Sequence, residues 1–108
     1  MLDVNNSARY YPSVIKTFRC PDTEALSKGN PVKRFANLSA VARRKLRQLE
    51  IAGRLNDLRV PPGNRLEALK GEREGQYSIR INDQFRVCFR WTVPALKTSK
   101  SSIIIEGY

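Results

Sequence analysis

Between Gln76 and Trp91 the chain alternates with period two, in two runs joined by Asn82-Asp83. Tyr77, Ile79 and Ile81 fall on one side of the first run, and Phe85, Val87, Phe89 and Trp91 on one side of the second. Gln76, Ser78, Arg80, Gln84, Arg86, Cys88 and Arg90 fall on the other. Successive strand side chains point to opposite faces, and Asn-Asp is turn chemistry. The segment therefore reads as an antiparallel hairpin with one apolar and one polar face. Whatever else the chain forms must cover the apolar face.

The first half supplies that cover. Val14 to Cys20 is β-branched and aromatic and is closed by Pro21, so it reads as a strand. Asp22 can cap a short helix through Glu24-Ala25-Leu26, which Gly29 ends. The clearest helix spans about Ser39 to Ala52, with Ser39 or Asn37 as N-cap and Gly53 as its stop. Ala42, Leu46 and Leu49 lie at helical spacing and face the core. Pro61-Pro62-Gly63 ends any helix, and Arg65 to Leu69 reads as a further strand. Gly71 to Gly75 and Thr92 to Ser102 read as loops, and Ile103-Ile104-Ile105 as the last strand. The order predicts an α+β domain over 14–108, with an N-terminal strand and helices packed on a small, mostly antiparallel sheet. Residues 1–13 carry no periodicity and read as a flexible extension.

Charge narrows the function. Twenty Lys and Arg against 10 Asp and Glu give a formal net charge of +10, which points to a polyanionic partner. Histidine is absent, which excludes Ser-His-Asp triads, Cys-His pairs, His-based metal sites and two-histidine ribonuclease chemistry. No metal and no cofactor is expected. Two distant cysteines, Cys20 and Cys88, make neither a zinc knuckle nor a disulfide framework, so a reducing cytoplasm is the simplest reading. The start lacks the apolar stretch of a signal peptide, and no run approaches the roughly 20 residues that span a bilayer. A soluble, cytoplasmic protein without membrane contact is the expectation.

Two cationic groups stand out. Arg43, Arg44, Lys45 and Arg47 crowd the helix; they make either an ordinary solvated face or a phosphate-contacting patch. Arg80, Arg86 and Arg90 share the polar side of the hairpin, where buried charges would need partners and open ones make a surface suited to RNA backbone. Arg65 and Arg73 join the RNA- or ribosome-binding candidates. Lys70 stands where a strand ends beside that face. The glycines around it make no P-loop, because the Gly-Lys-Ser/Thr step is missing.

The stretch Asn64-Arg65-Leu66-Glu67-Ala68-Leu69-Lys70-Gly71, followed by Gly75 to Phe89, resembles the HigB toxins, including the GraT type, of the RelE/ParE superfamily. Ile15-Lys16-Thr17-Phe18, Asp22 to Leu26 and Leu58 to Asn64 carry the same likeness, which covers about 14–108. The resemblance implies a compact RelE-like fold with its active surface on the open sheet face. It implies a ribosome-dependent endoribonuclease that cuts messenger RNA, and a HigA-like helix-turn-helix antitoxin as partner beside ribosome and mRNA. It places Lys70 at the family's lysine before glycine, Arg86 at the arginine holding the scissile phosphate, Arg80 at a basic strand position and Tyr108 at the tyrosine of a terminal Asp-Tyr-His motif. Glu67 stands where some members have a catalytic histidine and GraT-like members have Glu. Gly107 stands in place of the motif's Asp, and no His follows Tyr108.

Cutting RNA through its 2′-OH needs a base on that hydroxyl, cations on the phosphate and a proton for the leaving oxygen. Arg86 and Arg80 suit the phosphate; Glu67, Tyr108 or a Lys70 of lowered pKa suit the proton steps. A gyrase poison of the same fold, as in ParE-type proteins, and a passive RNA- or ribosome-binding module remain as alternatives. The charge makes one prediction independent of these choices. Affinity for ribosomes or RNA should fall steeply between about 50 and 200 mM salt, and a flat response in a filter-binding titration would remove the polyanion argument.

Overall fold

In the computed structural model, residues 13–15, 17–93 and 98–108 are described. The expected flexible extension falls outside them, except for Ser13. The elements run β1 (Ser13–Ile15), α1 (Pro21–Ser27), α2 (Ser39–Ile51), β2 (Glu67–Ala68), β3 (Gln76–Arg80), β4 (Phe85–Thr92) and β5 (Thr98–Gly107), with short 3-10 turns at Lys33–Leu38, Leu55–Arg59, Pro62–Asn64 and Gly71–Arg73. They build a five-stranded sheet in the order β1-β5-β4-β3-β2. Four strands are antiparallel neighbours, and β1 runs parallel to β5 at the edge. This is the α+β architecture expected from the sequence.

The hairpin β3–β4 pairs as its periodicity predicts, with Ile79 opposite Val87 and Arg80 opposite Arg86. Asn82 makes the turn: its Oδ1 accepts from the backbone N–H of Gln84 and Phe85, both at 2.8 Å. Both helices cover the apolar face. Leu26, Phe35, Ala42, Leu46, Leu49 and Leu58 meet Ile79, Val87, Phe89, Ile103 and Ile105 in one core. At roughly 25 cal/mol per Å² of apolar surface removed from water, this contact is the main source of stability. Thr23, fully buried in α1, accepts the Ile105 N–H at 3.0 Å and ties that helix to the sheet.

Several boundaries differ from the expectation, each for a local reason. Among the described residues the first strand covers Ser13–Ile15, followed by a bridge from Phe18 to Ile103. Asp22 lies inside the first turn of α1; Cys20 is the N-cap and Pro21 the first helical residue. Leu38, not Ser39 or Asn37, is the N-cap of α2, because the Ser39 hydroxyl donates back to the Phe35 carbonyl at 2.8 Å. Strand β2 keeps only two of the five residues expected, since Arg65 turns the chain with a left-handed φ of 46°. The expected 92–102 loop is mostly strand: β4 runs to Thr92 and β5 begins at Thr98.

That early start gives α2 its end. Gly53 is not a left-handed stop; α2 closes instead on groups from β5. Thr98 Oγ1 donates to the Gly53 carbonyl at 2.7 Å, and Lys100 Nζ donates to the carbonyls of Ala52 at 2.7 Å and Glu50 at 3.1 Å. Lys100 is fully buried, with its ammonium 5.2 Å from the Trp91 ring centroid. A cation at a helix C-terminus satisfies carbonyls that the helix itself leaves open.

Burial pulls the Lys100 ammonium down to about 8, against the opposing charge of Glu50. Between that value and the ordinary lysine value the unfolded chain binds more protons than the folded one, so stability should rise with pH across this window. The stability difference between the parent and Lys100→Met, measured by urea unfolding, should therefore shift in favour of the parent from pH 8 to pH 10. A constant difference would show that Lys100 titrates normally.

Candidate nucleic-acid interface

The face of the sheet away from the helices carries most of the candidate residues. Alternation along β3 and β4 sends Gln76, Ser78, Arg80, Arg86, Cys88 and Arg90 to that side, since Ile79, Val87 and Phe89 enter the core. Arg80 and Arg86 are directly opposite each other. Like charges so placed repel, and each is held by a carboxylate. Arg80 pairs with Asp83 across the turn. Arg86 Nη2 donates to Glu106 Oε2 at 3.1 Å from the register position beside it on β5.

Glu106 is a residue of this face that the sequence reading passed over. The carboxylate sought at position 107 stands one residue earlier, while Gly107 lies opposite Phe85. Ile103 and Ile105 face the core, so residue 106 must face outward beside Arg86; strand phase was the signal available. Arg73 closes the group. Its Nη1 donates to Glu106 Oε2 at 2.6 Å and its Nη2 to Oε1 at 3.1 Å. Burial pushes the Glu106 carboxyl up, but hydrogen bonds and charge from Arg73 and Arg86 outweigh it and hold the group below the usual carboxylate range. Cys88 beneath them has its thiol pushed up to about 11, first by burial and then by the Glu106 charge.

Tyr108 completes this side. Its backbone N–H donates to the Gln84 carbonyl at 3.0 Å, and its ring centroid is 5.3 Å from the Arg86 guanidinium carbon. Arg86 itself is only 18% exposed at its side chain, and its Nε is shielded with no partner among the described residues. Next to it opens a cleft of about 300 Å³ lined by Arg65, Glu67, Arg80, Asp83 and Tyr108. Two arginines, two carboxylates and a phenol thus converge at one opening.

Of the candidates, the fold brings Arg65, Glu67, Arg80, Arg86 and Tyr108 together. Lys70 is exposed at the head of the 71–73 turn and is not among the cleft's lining residues. Arg90 is exposed and lies over Gly75, where an added Cβ would meet its Nη1 at 3.0 Å; the Gly75 φ of +93° also favours glycine. The helix cluster divides in two. Arg44 and Arg47 are exposed, the latter 3.6 Å from Glu50. Arg43 reaches back to the carbonyls of Gly29 at 3.3 Å and Asn30 at 3.4 Å, tying the turn after α1. Lys45 donates to Asn64, a fully buried side chain whose amide bonds the Leu58 carbonyl at 3.0 Å and so anchors the loop leading to Arg65. Among the described residues no group of three His, Cys, Asp or Glu is arranged for a metal ion. Both cysteines are free thiols, and no described helix is long and apolar enough to cross a membrane.

Comparison with known proteins agrees with this picture. Over 48 residues the chain is 52% identical to Toxin HigB-1 of Vibrio cholerae serotype O1, covering 44% of this chain and 50% of that protein. Over 56 residues it is 41% identical to an uncharacterized protein of Haemophilus influenzae, covering 52% and 55%. The chain thus spans about half the length of the curated relatives it matches. A YoeB/ParE toxin from Agrobacterium tumefaciens shares the fold at a TM-score of 0.54 and 15% identity, over 87% of this chain and 97% of that one. Residues 28–99 match the model of the RelE-like toxin of type II toxin–antitoxin system HigB, and on that match the chain belongs to the HigB-like toxin family.

Proposed function

We propose that this chain is a ribosome-dependent endoribonuclease that cuts messenger RNA and so stops translation, and that a HigA-like helix-turn-helix antitoxin restrains it in the cytoplasm. The observation that carries the reading is Arg86: a guanidinium oriented by Glu106 and Tyr108 beside an open cleft that also holds Arg80 and Glu67. Such an arrangement fits an anion that develops charge during a reaction, because a cation already in place needs no reorganisation.

In the proposed reaction the scissile phosphate lies between Arg86 and Arg80, whose planar forks match its oxygens. Glu67, on the edge strand, takes the proton of the 2′-OH. That oxygen attacks phosphorus, and the bond to the 5′ oxygen breaks. The Tyr108 hydroxyl supplies the proton to the leaving oxygen. Arg44 and Arg47, the exposed pair on α2, bind ribosomal RNA away from the chemistry. No histidine takes part, so the rate depends on how well the ribosome places the 2′-OH in line.

The test is translated messenger probed by primer extension, run beside a gyrase supercoiling assay. The parent should produce new messenger ends and leave supercoiling untouched. Arg86→Ala should fold, bind its antitoxin and lose on the order of 10²–10³ in single-turnover rate on programmed ribosomes. Arg44→Ala should instead raise the ribosome concentration needed for half-saturation and leave the saturated rate alone. Inhibited supercoiling without messenger ends would select the gyrase-poison reading. Ribosome binding without cuts would select the passive module.

A further inference from the structure

We infer that Arg73 is a positioning residue that aims Arg86 through Glu106, rather than a contact for RNA. The inference rests on the proposed role of Arg86 at the phosphate. Its ground is the shared carboxylate: both Glu106 oxygens are taken by the Arg73 fork, and Oε2 is shared with Arg86.

Three features make Arg73 the fixed end of this chain of contacts. Its Nη2 also donates to Gln76 Oε1 at 3.2 Å, a side chain buried at the start of β3. Its backbone sits in the 71–73 turn, closed by the Arg73 N–H on the Lys70 carbonyl at 3.2 Å and the Glu74 N–H on the Gly71 carbonyl at 3.1 Å. Gly71 and Gly75 on either side take left-handed φ values of 65° and 93°, which a side chain would resist. A bidentate fork fixes the plane of a carboxylate as well as its place.

Arg86 has no such anchor of its own. Among the described residues its Nε bonds nothing, and Glu106 and Tyr108 are the groups that orient its guanidinium. With Arg73 in place, Glu106 spends one oxygen wholly on Arg73 and offers Arg86 a single bond. The other Arg86 nitrogens make no bond to Glu106. Without Arg73, both carboxylate oxygens become available. Glu106 can then close a two-bond fork on Arg86 and compete with phosphate for the same donors. Arg73 therefore both aims Arg86 and keeps Glu106 from neutralising it.

Saturation kinetics on programmed ribosomes separate this role from direct binding. Arg73→Gln should lower the saturated single-turnover rate by about 10- to 100-fold, with half-saturation little changed. A residue that binds RNA would do the reverse. In a Glu106→Gln background, adding Arg73→Gln should cost nothing further, because the relay is already cut. Equal costs in both backgrounds would overturn the inference. A second measurement needs no catalysis: the Arg86 Nε–H resonance in the free protein, assigned by its loss in Arg86→Lys. It should be shielded from exchange in the parent and shifted in Arg73→Gln, as Glu106 re-pairs with Arg86, with the rest of the spectrum preserved. An unchanged signal would also overturn the inference. A parent that does not cut but shows this response would leave the positioning role standing and remove the nuclease reading instead.

Discussion

The structure depends on one extra residue in β5. Cys88 pairs with Ile104 and Arg90 with Ser101, so two steps on β4 face three on β5, and Ser102 absorbs the surplus with a φ of 53°. A one-residue slip sends every later side chain to the opposite face. Before the slip, Thr98 and Lys100 reach the helix side and close the end of α2. After it, Ile103 and Ile105 take over the core and Glu106 turns to the open face. Without the bulge the strand could serve one purpose but not the other. Keeping Lys100 inward would send Glu106 into the core as an unpaired charge, at a cost of several kcal/mol. The bulge is itself held, because the Ser102 N–H donates to Thr17 Oγ1 at 2.8 Å.

The open face concentrates positive charge beyond what its carboxylates neutralise. Arg65, Arg73, Arg80, Arg86 and Arg90 stand on or around the same side of the sheet. Asp83 and Glu106 each answer part of this, and Glu106 answers two arginines at once. Partly shielded cations held close together raise one another's free energy, and a bound polyanion lowers it. The face is thus built stiff by its ion pairs and left under-neutralised by their number. Stiffness comes from Arg73 and the sheet register, and Arg65 and Arg90 are the arginines of this face outside these ion pairs.

How much of this was legible in the sequence follows from which interactions are periodic. The hairpin, its turn and the α2 core positions Ala42, Leu46 and Leu49 come straight from period two and period 3.6. So does the face shared by Arg80, Arg86 and Arg90. What stayed hidden depends on contacts between distant segments. Thr98 to Ser102 looks like a polar loop, because nothing local says that Lys100 will find carbonyls 48 and 50 positions away. Arg43 and Lys45 look equal to Arg44 and Arg47; only the turn after α1 and the buried Asn64 draw them inward. Glu106 could be placed only by strand phase, and Ile103-Ile104-Ile105 does not say by itself which isoleucines are buried. The short β2 was hidden by the Arg65 backbone, a left-handed residue that carries no glycine signal.

A catalyst without histidine must take its proton carriers from carboxylates, phenols and amines, which titrate far from neutrality unless something moves them. In the proposed reaction that weakness sets the division of labour. Glu67 is exposed on a two-residue edge strand, so little in the fold holds it in line. Tyr108 is 61% exposed and held through its backbone. The rigid part of the site is instead the cationic one, where Arg73, Glu106 and Arg86 lock together across a turn and two strands. A site preorganised for charge and loose for proton transfer suits a substrate whose geometry is imposed from outside. The free protein would then bind the phosphate well and cut poorly, and the ribosome would supply the alignment that the edge strand cannot.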